Sequence, residues 1–116
     1  MNQIPGTKVL VLHLAGPGHA PFPDLAAAIR VARNAAAELP DVAVEILVQG
    51  PSVNQLIATE AIADISGSSI SVYACGNSLH SAKIDPSTLA SEVKVTPAAV
   101  AHIARRQFNG AAYMRL

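Results

Sequence analysis

Apolar positions along the chain alternate between two patterns: short β-branched runs, and longer stretches in which apolar residues recur every three or four positions. Lys8-Val9-Leu10-Val11-Leu12-His13-Leu14 is a continuous apolar run of strand length, as expected of a central strand buried on both faces. From Asp24 to Leu39 the residues Leu25, Ile29, Ala32, Ala36 and Leu39 recur at helical spacing, with Arg30, Arg33, Asn34 and Glu38 opposite, and Pro40 ends the helix. Val42 to Gln49 predicts a second strand. Gly50-Pro51-Ser52 turns into a helix from about Val53 to Asp64, with Val53, Leu56, Ile57 and Ala61 as its buried stripe and Ser52 as its N-cap. Ser69 to Ala74 predicts a third strand, and the segment after Cys75 a short helix to about Lys83. Asp85-Pro86 and Thr96-Pro97 each carry helix-start chemistry, a capping side chain followed by proline in the first turn. Between them lies a fourth strand, Glu92 to Val95. The last helix turns Val100, Ile103 and Ala104 inward and stops at Gly110, before a fifth strand, Ala111 to Leu116.

Strand and helix in regular alternation with short connections predict one α/β domain over residues 1–116. It is a three-layer sandwich around a mostly parallel five-stranded sheet, because right-handed crossovers place helices on both faces. A flavodoxin-like strand order, 2-1-3-4-5, makes the first and third strands neighbours. The loop Ala15 to Phe22 then overhangs Cys75, and the ligand crevice lies at the carboxyl ends of the strands.

Composition narrows the partners. The formal net charge is zero, charged residues are 14% and hydrophobic residues 51%, against about 25% charged in an ordinary soluble domain. Such a surface predicts association with copies of itself. With no basic excess and 3% aromatic residues, nucleic acid is not an expected partner. The N-terminal residues Met1 to Lys8 lack the plan of a signal peptide, and no apolar run spans a bilayer, so the expected location is the cytoplasm with no membrane partner.

The chain has one cysteine, which excludes an internal disulfide or a Cys-x-x-Cys site. No histidine pair has ligand spacing, so neither a metal nor a cofactor is expected. Cys75 stands where the third strand runs into a helix start, Gly76-Asn77-Ser78. Unpaired N–H groups there favour a thiolate, whereas a small buried hydrophobe is the alternative use of a lone cysteine. Asn77 and Ser78 read either as donors to the sulfur or as helix caps. Gly50 brings a second helix start beside the pocket. His19, in the loop after the first strand, is the better candidate proton shuttle, while His13 reads as a hydrogen-bonded core residue and His80 and His102 as surface residues. Tyr113 and Arg115 read as anion contacts, edge residues or oligomer contacts. Gly16-Pro17-Gly18 lacks the rest of a phosphate loop.

The sequence resembles the DsrE/DsrF-like family, small α/β proteins related to YchN and to the sulfur-relay subunits of the Tus type. The likeness is carried by Val48-Gln49-Gly50-Pro51, by Ala74-Cys75-Gly76-Asn77-Ser78-Leu79, by Val95-Thr96-Pro97-Ala98-Ala99-Val100 and by Gln107-Phe108-Asn109-Gly110-Ala111-Ala112-Tyr113. Gln49 stands where many relatives carry a histidine. The resemblance implies a persulfide on Cys75, passed between a donor and an acceptor protein, and a homotrimer or homohexamer. The expected function is therefore a sulfur carrier of sulfurtransferase type, with Gly76, Asn77, Ser78, His19 and Gly50 around the sulfur. A non-enzymatic oligomeric binding or scaffold protein is the alternative, and a cysteine hydrolase using His19 as base a third reading. Whether the chain is an enzyme stays open.

Overall fold

Five strands are present in the computed structural model, which describes residues 8–57 and 60–116. They are β1 (Lys8–Leu14), β2 (Val42–Val48), β3 (Ile70–Cys75), β4 (Val93–Thr96) and β5 (Ala112–Arg115). The helices are α1 (Leu25–Glu38), α2 (Glu60–Ala63), α3 (Gly76–Ser81) and α4 (Ala99–Phe108), with 3-10 helices at Gly50–Leu56 and Pro86–Thr88. Residues 1–7, on which the reading of the N-terminus rests, and 58–59, inside the expected second helix, lie outside the described residues.

Every strand pair is parallel, and the order is β4-β3-β2-β1-β5. The expected order 2-1-3-4-5 is therefore corrected: β2 lies between β1 and β3. The sheet is three-layered as predicted, but its layers are unequal. Each of the first three crossovers steps one strand further in the same direction, and a right-handed crossover that keeps its direction keeps its face. Only the connection through α4 runs back, to add β5 beside β1, and it takes the opposite face.

Strand side chains alternate between these faces. Leu10, Leu12 and Leu14 of β1, Val44, Ile46 and Val48 of β2, and Ile70, Val72 and Ala74 of β3 form one dry core with α1, Val53, Leu56, Ile62 and Leu79. Val9 and Val11, Leu47, and Tyr73 and Cys75 point the other way, against Ala99 and Ile103 of α4. Among them lie three buried polar residues, His13, Glu45 and His102, together with Arg106.

Local chemistry explains most boundaries. Asp24 caps α1, its Oδ1 accepting from the Ala27 N–H at 2.8 Å. Asp85 caps the second 3-10 helix in the same way, accepting from Ser87 N–H at 2.9 Å. Four expectations fail. The helix predicted from Val53 is a tight 3-10 helix that ends at Leu56, where Ile57 pairs in an isolated antiparallel bridge with Leu89 and is half-exposed. Ser52 is not its cap: the residue is buried and its hydroxyl donates to the Gly16 carbonyl at 2.7 Å. Thr96 does not cap α4 either, because it is the last residue of β4, and α4 starts after Ala98 without a side-chain cap. Val100 points to solvent at 76% exposed; α4 buries Ala99, His102 and Arg106 instead.

Candidate functional site

The strand order decides where a site can form. In an open parallel sheet the crevice opens where two adjacent strands send their following segments to opposite faces. Here those strands are β3, which continues into α3 on the covered face, and β4, which continues into α4 on the other. Cys75 and Thr96 are paired across that point. The cysteine thus stands in the crevice expected of the fold, although between β3 and β4 and not beside β1.

Cys75 occupies the N-cap position of α3, and its side chain is oriented to the α4 side of the sheet. Gly76 follows it for a steric reason. A Cβ there would come within 3.2 Å of the Pro97 carbonyl oxygen and 3.3 Å of the Thr96 carbonyl oxygen, so a larger residue would push the lead-in to α4 back by a few tenths of an ångström. The Asn77 N–H bonds the Pro97 carbonyl at 3.1 Å and clamps the two helix starts together. Cys75 is 2% exposed and is reached through a cavity of about 410 Å3, lined among others by Gln49, Gly50, Pro51, Asn77, Ser78 and Val100.

The surroundings of the sulfur favour its anion. Burial pushes the thiol up, but the Ser78 hydroxyl and the N–H groups of Ser78, Ala99 and Asn77 outweigh it and hold the pKa below the ordinary thiol value. Ser78 is oriented for this by Gly50, whose N–H donates to Ser78 Oγ at 2.8 Å and leaves the hydroxyl proton to face the sulfur. Gly50 can do so because its backbone is left-handed, at φ 67°. Ala99 contributes because Ala98, at the N-cap of α4, has no side-chain oxygen to take up the first N–H groups.

A second chain of contacts ends at the same cavity. The Tyr113 hydroxyl lies 2.7 Å from His13 Nδ1, and Gln49 Oε1 lies 2.7 Å from His13 Nε2. A carboxamide oxygen only accepts, so Nε2 carries the proton and Nδ1 accepts from Tyr113. Burial, which lowers the His13 pKa against the raising effect of Gln49, favours this neutral ring.

The structure brings Cys75, Asn77, Ser78 and Gly50 to one cavity, with Gly76 packed behind the cysteine. It does not bring His19 there. The loop Ala15 to Phe22 is held on the first 3-10 helix by Ser52 and Gln55, and His19 is exposed, with Nδ1 3.0 Å from the Ala20 carbonyl. With β2 between β1 and β3, this loop stands two strands away from Cys75, roughly 10 Å. His80 is exposed as expected.

His102 is not a surface residue. It is buried, and its Nε2 lies 2.8 Å from Glu45 Oε1. Arg106 grips the same carboxylate, with Nε 2.9 Å from both oxygens and Nη2 2.8 Å from Oε2. Burial raises the Glu45 pKa, but His102 and Arg106 more than offset it and the carboxyl stays below its ordinary value. A signal for this cluster was present in the sequence: Glu45 interrupts the apolar run of β2 and needs a buried partner, and His102 and Arg106, four residues apart, share one helix face. The other overlooked wall of the site, Ala98 to Val100, follows β4, whose neighbour the expected topology misplaced. Among the described residues no three His, Cys, Asp or Glu side chains stand together as a metal site, and no helix is long and apolar enough to cross a membrane.

No family model and no curated protein matches this chain. Among solved structures it is similar to MTH1491, a protein of unknown function from Methanobacterium thermoautotrophicum, with a TM-score of 0.76 and 27% identity over 94% of this chain and 97% of that one. It is also similar to the ychN protein from E. coli, with a TM-score of 0.71 and 12% identity over 95% and 98% of the two chains. The chain therefore has a YchN-like α/β fold.

Proposed function

We propose that this protein is a sulfur carrier of the DsrE/DsrF-like family that holds a persulfide on Cys75. The observation that carries the reading is the position of Cys75: the only thiol of the chain lies at the bottom of a cavity where the starts of α3 and α4 converge, in surroundings that favour its anion. The YchN-like fold agrees with it.

The chemistry needs no metal or oxidant. The Cys75 thiolate attacks the outer sulfur of a donor persulfide; a new S–S bond forms, the donor's own S–S bond breaks, and the donor leaves as a thiolate. The bound persulfide is the stronger acid, and its terminal sulfur anion is stabilised by the Ser78 hydroxyl and the Ala99 N–H. An acceptor thiolate then takes the outer sulfur, and Cys75 leaves as the thiolate that the same donors favour. With no second thiol in the chain, nothing within the subunit discharges the persulfide. A cytoplasmic location, donor and acceptor proteins, and self-association as a trimer or hexamer belong to the same proposal.

Incubation with a persulfide donor, followed by intact-mass measurement with and without reductant, tests the reading. A gain of one sulfur that reductant removes is expected, and Cys75→Ser is expected to show none. Equal loading of both proteins, or no loading of either, refutes it.

An oligomeric scaffold is the second reading, favoured by one observation: α4 exposes a large apolar side chain near each end, Val100 at 76% and Phe108 at 86%. It predicts an assembly in analytical ultracentrifugation that Phe108→Ser dissociates and Cys75→Ala leaves intact, together with no sulfur loading.

A further inference from the structure

The geometry points to a second binding site, separate from the Cys75 cavity: a recess between β4 and α4 that takes a small molecule carrying a tetrahedral oxyanion of the phosphate or sulfate type. The recess has a volume of about 330 Å3 and is lined among others by Tyr73, Lys94, Thr96, His102, Arg105 and Arg106, within the range of small-molecule sites.

Three features select an anion. The first is how charge is distributed. All eight Asp and Glu side chains precede residue 93, while Lys94, Arg105, Arg106 and Arg115 follow it with no acidic side chain among them. No carboxylate lines the recess, and among the described residues Lys94 and Arg105 have no ion-pair partner.

The second is that Arg106 is held in place. Glu45, beneath the recess, engages Nε and Nη2 of Arg106 and Nε2 of His102. Its oxygens are occupied, and they fix the guanidinium through Nε and Nη2, leaving Nη1 out of these bonds. A planar fork held on one edge and open on the other is suited to an oxyanion.

The third is the Tyr73 ring, which gathers the cations. Arg106 Cζ lies 5.9 Å and Lys94 Nζ 5.5 Å from its centroid. The Tyr73 hydroxyl, 3.5 Å from Arg106 Nη2, accepts there and retains its proton for a ligand. The recess thus offers two unpaired cations, a fixed guanidinium and a hydroxyl donor, which fits an anion with three or more acceptor oxygens better than a carboxylate.

Calorimetric titration of the full chain with inorganic phosphate and with inorganic sulfate, at low ionic strength and with chloride-matched controls, tests the site. Saturable one-to-one binding of either anion is expected, weakened about tenfold in Lys94→Gln and in Arg105→Gln and lost in the double variant. Tyr73→Phe is expected to weaken it by about threefold. Arg30→Gln, on the outer side of α1, and Cys75→Ser are expected to bind as the parent does. This last result separates the site from sulfur carriage, since Cys75→Ser abolishes one and spares the other. Lys94 and Arg105 are exposed, so both variants should fold, which near-UV circular dichroism checks. Binding no stronger than that of acetate or chloride overturns the proposal, as does a folded double variant that binds as well as the parent.

Discussion

The two faces of the sheet solve the problem of covering strands in opposite ways. On one, α1, α2, α3 and a 3-10 helix cover leucine, isoleucine and valine side chains, and the core is dry. On the other, α4 works alone, ten residues long, over strands that present His13, Glu45, Tyr73 and Cys75. The first face is held by area removed from water, about 1.5–3 kcal/mol for each large side chain. The second combines a smaller apolar cluster with a few directional contacts, and it carries Cys75 and the buried polar residues His13, Glu45 and His102. Four elements on one side supply the stability with which the other side keeps polar groups buried and cavities open.

The sharpest way to break this contrast is to remove one residue from each face. Glu45→Ala leaves Arg106 and His102 buried without their partner and is expected to cost about 3–5 kcal/mol, as much as Leu12→Ala in the dry core at about 2–5 kcal/mol. Urea denaturation measures both. If Glu45→Ala cost less than about 1 kcal/mol, the polar cluster would not be what fastens α4. Gly76→Ala comes next, at about 1–3 kcal/mol, because its Cβ meets the Pro97 carbonyl. Its thermal midpoint should fall, and its thiol should react differently as the two helix starts separate.

Acid distinguishes the faces without mutation. The Glu45 carboxyl is held below its ordinary value by His102 and Arg106, so the unfolded chain takes up that proton first. The stability it contributes is present above about pH 4.3, the unfolded value, and is lost as pH falls through the lower folded one. His13 is also shifted down, by burial. For a base this means that stability declines as pH falls below about 6.5, where the unfolded chain protonates. Hydrogen exchange should therefore show α4 and β5 opening at a higher pH than α1. Simultaneous opening of both faces would count against the division.

The smallest effect concerns the sulfur. Alkylation of Cys75 followed against pH should give a midpoint below that of an ordinary thiol, and Ser78→Ala should move it upward with little loss of stability. An unmoved midpoint would show that the helix starts act on the sulfur without the hydroxyl.

Much of this was legible in the chain. The apolar run of β1 and the spacing of α1 appear within a residue or two of where they were expected, because each follows from local periodicity and from caps such as Asp24. The class of fold follows from their alternation. Cys75 at a strand end before glycine is likewise a local feature, and so is its helix start.

What the pattern does not contain is which strand lies beside which. Parallel strands buried on both faces look alike in sequence, and either order satisfies their periodicity. Pairing is decided by the direction of each crossover and by what each face must cover, both of which are properties of the assembled sheet. That choice moved the loop bearing His19 away from Cys75 and brought Ala98 to Val100 toward it. It also buried His102 against Glu45, fifty-seven residues earlier in the chain. The chain by itself determined most of the elements, the class of fold and the position of its one thiol, because these depend on neighbours in sequence; the neighbours of that thiol, and the polar face it shares, were decided only by tertiary structure, because contacts between distant segments are set by packing and charge compensation.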